Sequence, residues 1–372
     1  MNRGKAVAWL KAAVGGAIIT ASFVSCGGGD NVINGGGSTP PVVASKYLAT
    51  SLVSDIATTA THADDNIVNP WGLAFHPTGY AWVANNGTST ASLFDGNGVA
   101  QNLVVSIPPG GEGDANPTGI VYNPTQDFQV TQNSVTGASQ FIFAGEAGTI
   151  AGWSQAVNAT EAVTVYDIGA NGPVYKGLAI GRAAGANYLY AADFQGNKID
   201  VFDHNFVRVD LVGDFRDPGL PAGYAPFGIQ VVGDRVYVAY AQRAATAPDE
   251  VRGAGLGVVS VFSTSGAFIR QLTQGGALNA PWGMAVAPVN FGSLSNHLLV
   301  ANFGDGKINA YNTSNGRFEG TLSRADGTPV VIDGLWGIAF GNGSFSQPLN
   351  TLFFTAGPSN ETHGLFGRID LQ

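Results

Sequence analysis

Residues 281–323, PWGMAVAPVNFGSLSNHLLVANFGDGKINAYNTSNGRFEGTLS, contain one complete structural repeat. An apolar run begins at Gly283, and three further runs of strand length follow it, separated by turns that carry Gly, Asn and Asp. The run KINAYN at 307–312 alternates polar and apolar residues, which is the period of a strand with one buried face. The stretch therefore predicts a small sheet of four antiparallel strands.

The same opening, a small turn and a glycine before an apolar run, occurs six times in the chain. The openings are Pro70-Trp71-Gly72, Pro117-Thr118-Gly119, Tyr175-Lys176-Gly177, Pro226-Phe227-Gly228, Pro281-Trp282-Gly283 and Leu335-Trp336-Gly337. Successive glycines lie 47 to 58 residues apart. Repeats of about 40–55 residues with several strands each are typical of β-propellers. We therefore predict an all-β fold, a six-bladed β-propeller of four-stranded antiparallel blades.

The two ends of the chain are predicted to close this ring together. The sixth repeat ends after its third strand, near Leu371, and lacks an outer strand. Residues 47–54 (YLATSLVS) have the pattern of a strand and would supply it. Such pairing covers sheet edges that would otherwise be free to associate with other chains. The outer strands of the other blades are predicted at 99–106, 161–168, 206–213, 267–273 and 317–323.

The first 25 residues have the pattern of a signal peptide of the lipoprotein type. Three basic residues precede an apolar core of 13 residues at 12–24, which is too short to span a bilayer. The segment FVSC at 23–26 resembles a bacterial lipobox, and this implies lipidation of Cys26, the only cysteine in the chain. The alternative is ordinary secretory cleavage beside an incidental cysteine.

Three regions follow from this pattern: a signal peptide at 1–25, a flexible Gly-rich tether at 26–46 and the propeller at 47–372. The predicted location is outside the cytoplasm, as a lipoprotein anchored to the bacterial outer membrane or as a periplasmic or extracellular protein. Membrane contact would then occur only through the lipid on Cys26.

Composition and motifs exclude some functions. The chain has a formal net charge of −9, whereas a nucleic-acid partner requires a basic surface. Its five histidines are scattered, and the sequence contains no H-E-x-x-H motif, no G-x-S-x-G elbow and no phosphate-binding loop. The sequence therefore identifies no catalytic residue, and nucleic acid is not an expected partner.

The middle residue of each opening is predicted to lie near one mouth of the central channel. Four of these six residues are aromatic, namely Trp71, Phe227, Trp282 and Trp336. One interpretation is a hydrophobic cap that closes the channel between the blades. The other is an aromatic-lined binding site for a sugar, a peptide or another flat ligand.

The turns between second and third strands add polar residues to the same face of a propeller. The candidate binding residues among them are Asn85, Glu146, Asp193 and Asn302. Asn and Asp favour tight turns because they hydrogen-bond to the local backbone, and this is the structural interpretation. Converging oxygen atoms could instead bind Ca²⁺, which takes six to eight oxygen ligands. The sequence defines no cofactor, and Ca²⁺ is the candidate ion.

Two stretches resemble the NHL repeat, YLYAADFQGNKIDVFD at 188–203 and LLVANFGDGKINAYN at 298–312. The whole of 47–372 resembles an uncharacterised family of secreted bacterial six-bladed propellers, which share the opening NPWGLA (here 69–74) and the phrase VANxG (here 83–87). This resemblance implies the propeller fold, and it implies no particular activity.

Senescence-marker, gluconolactonase and paraoxonase-type propellers are related to that family, and resemblance to them implies a metal-dependent lactonase or esterase. In those enzymes an Asp or Asn before the glycine binds the metal, but none of the six openings here has one. Our leading hypothesis is therefore a non-enzymatic binding or interaction module, tethered to the envelope or secreted, whose partner is a small molecule, a glycan or an envelope protein. The alternative is a metal-dependent hydrolase that uses the polar turn residues.

Overall fold

The computed structural model describes residues 44–169, 172–245 and 249–372. Over these ranges the chain forms six sheets of four or five mainly antiparallel strands, whose first strands contact one another in cyclic order, and one separate two-stranded sheet. The prediction of an all-β, six-bladed β-propeller is confirmed. The predicted signal peptide and Cys26 lie outside the described residues, as does most of the predicted tether.

The four main strands of each blade follow one another from the axis outward. Blade 1 contains Pro70–Phe75, Ala81–Asn85, Thr90–Phe94 and Ala100–Ser106. Blade 2 contains Pro117–Tyr122, Phe141–Gly145, Ile150–Trp153 and Val163–Tyr166. Blade 3 contains Tyr175–Ala183, Ala186–Asp193, Lys198–Phe202 and Arg208–Val209. Blade 4 contains Tyr224–Val232, Arg235–Gln242, Val258–Ser263 and Phe268–Gln274. Blade 5 contains Pro281–Val286, Leu298–Asn302, Ile308–Tyr311 and Phe318–Thr321. Blade 6 contains Leu335–Phe340, Leu352–Ala356, Leu365–Leu371 and Tyr47–Ser54.

The predicted closing strand forms as expected at Tyr47–Ser54. It pairs antiparallel with the last strand, from Tyr47 opposite Leu371 to Ser54 opposite Leu365. Tyr47 is buried, and its hydroxyl donates a hydrogen bond of 2.9 Å to the carbonyl oxygen of Phe291. A short parallel strand, His62–Ala63, extends this sheet by one more strand. The ring is therefore closed by hydrogen bonds between the two ends of the described chain.

Some elements differ from the sequence prediction. The outer strand predicted at 206–213 is only Arg208–Val209, and the one predicted at 161–168 is Val163–Tyr166. Blade 2 also has an unpredicted hairpin, Gln129–Gln132 with Val135–Ala138. The helical turns are Asn86–Thr88, Gly292–Leu294 and Pro358–Glu361. No helix in the described part of the chain is long and apolar enough to cross a membrane.

The repeated glycine is explained by the close approach of neighbouring first strands. A Cβ atom at Gly228 would lie 2.0 Å from the carbonyl oxygen of Trp282 in the next blade. A Cβ at Gly119 would lie 2.3 Å from the backbone nitrogen of Leu178. At the other four positions the nearest backbone atom of the next blade would be 2.4 to 2.9 Å away. The glycine ring therefore lets six inner strands meet around one axis.

The hydrophobic core is divided into one cluster between each pair of adjacent blades and one on the axis. Between blades 1 and 2, for example, the Trp82 ring stacks on Phe141 with ring centroids 4.0 Å apart, and Trp153 lies 4.8 Å from Trp82. Because the blades pack directly on one another, the positions of the axial side chains are fixed by the whole ring.

Candidate functional site

The four aromatic opening residues do not form an open binding surface. Trp71, Phe227 and Trp336 are 0–1% exposed, and Trp282 is 8% exposed. Together with Phe194 and Phe303 they form the axial hydrophobic cluster, which we call the aromatic plug. Of the two interpretations, this burial agrees with the hydrophobic cap and not with an aromatic-lined mouth, because the rings pack against one another.

Stacking holds the centre of the plug together. The Trp336 ring lies between Trp71 and Phe303, with ring centroids 3.5 Å and 3.8 Å away. Trp282 and Phe227 contact this stack edge-on. Such aromatic pairs contribute about 0.5–1.5 kcal/mol beyond their buried area. The plug is thus a structural centre that closes one end of the channel.

The indole nitrogens of the plug connect it to polar groups. Trp336 Nε1 donates to Asn69 Oδ1 at 3.0 Å, and Trp282 Nε1 donates to the Lys176 carbonyl oxygen at 2.6 Å. Within the described residues the buried Nε1 of Trp71 has no hydrogen-bond partner. The apolar plug and a layer of polar side chains are therefore in direct contact.

Lys176 is the charged residue among the six openings, and it lies at the centre of this polar layer. Its side chain is 3% exposed, and its Nζ donates to Glu146 Oε1 at 2.7 Å. The same ammonium lies 5.1 Å from the Trp71 ring and 5.9 Å from the Phe194 ring. Burial alone would lower the pKa of Lys176, but nearby carboxylates, with Glu146 the strongest, raise that pKa overall. Lys176 is therefore a charged ammonium in a buried position.

A chain of hydrogen bonds runs from Glu146 across three blades. Asn86 Nδ2 donates to Glu146 Oε2 at 2.9 Å, and Asn69 Nδ2 donates to Asn86 Oδ1 at 3.2 Å. Asn69 Nδ2 also donates to Glu361 Oε2 at 3.1 Å. Asn69 has a φ of +45° just before Pro70, a conformation that Asn adopts more readily than most residues. With this backbone conformation, the Asn69 amide contacts Trp336 of the plug on one side and Asn86 and Glu361 on the other.

The segment of blade 4 after residue 248 completes the layer. Asp249 Oδ1 is 4.0 Å from Lys176 Nζ, and Arg252 Nη2 is 3.3 Å from Glu361 Oε1. The Arg252 guanidinium also lies 4.1 Å from the centroid of the Phe303 ring. Burial raises the pKa of Glu250, although the Lys176 charge opposes that effect. Burial likewise raises the pKa of Glu361.

We call this layer the axial polar network. Its members are Asn69, Asn86, Glu146, Lys176, Asp249, Glu250, Arg252 and Glu361. Four of them are carboxylic acids and two are cations, so the network has an excess of acidic groups. It offers hydrogen-bond acceptors above a closed hydrophobic floor.

Of the four polar turn residues predicted to bind, the structure brings only Glu146 into this network. Asn85 donates to Thr90 and Ser92 in its own blade. Asp193 accepts from the backbone of Val174 and Gly196. Asn302 donates to the Ala277 carbonyl oxygen and to Asp305. These three residues therefore serve their local turns, which is the structural interpretation of the sequence pattern.

The same positions bear on the Ca²⁺ hypothesis. Across 44–169, 172–245 and 249–372, no three His, Cys, Asp or Glu residues are grouped to hold a metal ion. Of the residues proposed as oxygen ligands, Asn85 and Asn302 donate hydrogen bonds through their side-chain nitrogens, and their buried Oδ1 atoms have no partner among the described residues. Asp193 Oδ1 accepts hydrogen bonds from the backbone of blade 3.

Several members of the network were missed from the sequence. Asn69 and Glu361 lie far apart in the chain and meet because blade 6 neighbours blade 1. Arg252 and Glu250 belong to a long connection without a motif. One signal was available, since Lys176 interrupts a series of otherwise uncharged opening residues.

No protein-family model matches the chain. An uncharacterized protein of Acanthamoeba polyphaga mimivirus is 34% identical over 327 residues, which covers 86% of this chain and 78% of that protein. A second uncharacterized protein of the same virus is 33% identical over 330 residues, which covers 86% of this chain and 84% of that protein. The chain belongs to the family of these mimivirus proteins. These relatives are viral, and they give no support for the expected bacterial source.

Solved structures share the architecture. A streptogramin B lyase aligns with a TM-score of 0.52 at 12% identity, over 88% of this chain and 98% of the lyase. A PQQ-bound aldose sugar dehydrogenase from Streptomyces coelicolor aligns with a TM-score of 0.50 at 14% identity, over 88% and 99% of the two chains. At these identities the likeness shows the fold alone, a six-bladed β-propeller.

Proposed function

We propose that this protein is a binding propeller that holds a small, hydrogen-bond-donating ligand on the axial polar network. The observation that carries the proposal is the position of Lys176. A buried ammonium is costly unless it is paired, and here it is surrounded by more carboxylates than its pairing requires. A network maintained at this cost on the axis is better suited to recognition than to packing.

The exposed carboxylates indicate the ligand chemistry. The side chains of Asp249, Glu361 and Glu146 are 66%, 32% and 26% exposed. Ionised carboxylates only accept hydrogen bonds, so a complementary ligand supplies N–H or O–H donors. Because the acids outnumber the cations, the local potential favours a positively charged ligand. A small amine with hydroxyl groups, such as an amino sugar, satisfies both requirements.

Calorimetric titration with glucosamine, and with glucose as its uncharged counterpart, tests this proposal. We expect glucosamine to bind the wild-type chain more tightly than glucose. Glu146→Gln and Glu361→Gln should each weaken glucosamine binding at least tenfold, since a hydrogen bond to a charged group is worth about 1.5–3 kcal/mol. Glu112→Gln is the matched control, because Glu112 is an exposed carboxylic acid in the loop before blade 2. Equal binding by the wild type and both network variants would refute the proposal.

A second candidate function is acid–base catalysis on the same network. The specific observation is Glu250, whose pKa is raised by burial close to the charged Lys176, an arrangement found at many active sites. The lyase and the sugar dehydrogenase with this fold support an enzymatic role only by analogy. Hydrolysis of lactones or esters that Glu250→Gln abolishes would favour this function. Activity that EDTA removes would favour the metal-dependent hydrolase instead.

We also propose export of the chain, with cleavage before Cys26 and a lipid on that residue. The charged start, the short apolar core and the unique cysteine support it. Mass spectrometry of the full chain expressed in a bacterial host should show a diacylglyceryl mass on Cys26. Cys26→Ser should lack that mass, and an unprocessed N-terminus in the wild type would contradict the proposal.

A further inference from the structure

The end of the channel opposite the axial polar network is a cavity of about 470 Å³. It is lined by the three residues that directly follow the opening glycine in five blades, and by Gln230–Val232 in blade 4. All six first strands therefore contribute to its wall, at equivalent positions in five blades and one residue further along the strand in blade 4. We call this cavity the funnel.

The funnel has one closed end. Between it and the plug lies a smaller cavity of about 50 Å³, lined by five of the six opening glycines and by Trp282. Leu73, Ile120 and Ile338 contribute to the walls of both cavities, so the two are consecutive sections of one channel. Because the buried aromatic plug lies above both cavities in the described part of the chain, the funnel opens on the face opposite the network.

The lining of the funnel defines the chemistry of a ligand. Of its 18 lining residues none is charged, and only Tyr122 and Gln230 have polar side-chain groups. The remaining polar surface comes from the backbone edges of the innermost strands. A charged molecule would lose hydration there without gaining an ionic partner. An uncharged, mainly apolar molecule would instead bury its surface against the aliphatic wall.

Gln230 provides a place for one hydrogen bond. The residue is exposed, and its Nε2 makes a single long contact of 3.3 Å to the Val231 carbonyl oxygen. An exposed amide in a ring of aliphatic residues can both donate and accept. Ligand pockets commonly combine an apolar wall with a few polar groups that fix the ligand's orientation, and they occupy about 300–1,000 Å³.

We propose that the funnel binds one uncharged, mainly apolar small molecule whose single polar group meets Gln230. This site lies on the other face from the axial polar network and goes beyond the function proposed for that network. The two sites are separated by the aromatic plug, so each can be tested without the other.

The test uses the neutral fluorescent probe N-phenyl-1-naphthylamine, which has an apolar body and one N–H donor. We expect saturable binding of one probe per wild-type chain, with an increase in fluorescence. Ala339→Trp places an indole in the funnel and should weaken binding at least tenfold. Ala100→Trp adds the same ring at an exposed outer-strand position and should leave binding unchanged. Thermal midpoints of both variants check that the propeller remains folded.

A second variant keeps the test decisive if Ala339→Trp fails to fold. Gln230→Leu preserves the size of the side chain, removes its hydrogen bonds and should weaken probe binding roughly three- to tenfold. Glu146→Gln, at the axial polar network, should leave probe binding unchanged. Absence of saturable binding to the wild type would overturn the proposal. So would wild-type affinity in both funnel variants, or an equal loss in Ala100→Trp.

Discussion

The two ends of the central channel are built from the same six strands but use their side chains in opposite ways. At the plug end, the residue before each opening glycine is buried, and a charged network covers the aromatic rings. At the funnel end, the residues after the glycine leave an open, uncharged cavity. The repeated opening motif therefore serves mainly to pack the six inner strands and their side chains around the axis. The plug end contributes packing stability, and the funnel end provides space for an apolar ligand.

The largest loss of stability is expected when an aromatic side chain of the plug is truncated, and the matching truncation at the funnel end should cost less. Trp336→Ala should lower the free energy of unfolding by about 3–5 kcal/mol, because it empties the centre of a fully buried stack. Phe340→Ala, on the funnel side of the opening glycine in the same strand, should cost about 1–2 kcal/mol because Phe340 is only partly buried. Urea denaturation followed by circular dichroism measures both values. Equal losses would show that the plug is not the stronger half of the axis.

The second prediction concerns the glycine ring that separates the two ends. Gly228→Ala should destabilise the fold by about 1–3 kcal/mol, because the new methyl group would meet the Trp282 carbonyl oxygen at 2.0 Å. Gly219→Ala is the matched control, since its Cβ would lie 3.4 Å from the nearest atom, a side-chain oxygen of Asp217. Thermal unfolding of both variants measures the difference. If the two variants were equally stable, the close approach of strands would not explain the motif.

The fold could be predicted from the sequence because it is written in a repeat. Six openings at regular spacing determined the number of blades, and the missing sixth outer strand indicated closure by 47–54. The hairpin inside blade 2 was not predicted, because it occurs in one blade and has no counterpart in the other repeats. The length of the outer strand of blade 3 was overestimated, at 206–213 instead of Arg208–Val209. Strand propensity does not determine how many residues pair with the neighbouring strand.

The site was less predictable than the fold. An aromatic residue before a glycine has the same pattern whether it faces solvent or packs on its neighbours, so burial of Trp71 and Trp336 could not be determined from spacing. The contact of Asn69 with Glu361 spans 292 residues and depends on ring closure. The funnel was missed because apolar residues that line a cavity look like core residues in sequence. Only Lys176 departed visibly from its repeat.

The smallest predicted effect separates the two ends by their response to pH. Burial raises the pKa of Glu250 above its ordinary value of 4.5, so the folded chain retains a proton that the unfolded chain has released. Stability from this group therefore falls as the pH rises from about 4.5 through the raised pKa. Lys176 remains charged throughout that range, because its pKa is raised from 10.5.

Glu250→Gln, which resembles the protonated side chain, should therefore match the wild type near pH 4 and become the more stable of the two at higher pH. The gain should be smaller than the losses from Trp336→Ala and Gly228→Ala. Urea titrations at intervals between about pH 4 and 8 measure it, with Glu112→Gln as the control for removal of an exposed carboxylic acid on a loop. The apolar probe should bind the funnel equally at every pH, because no charged residue lines that cavity. A pH-independent difference between Glu250→Gln and the wild type would show that Glu250 ionises as freely in the fold as in the unfolded chain. The plug end and the funnel end would then not differ in their response to pH.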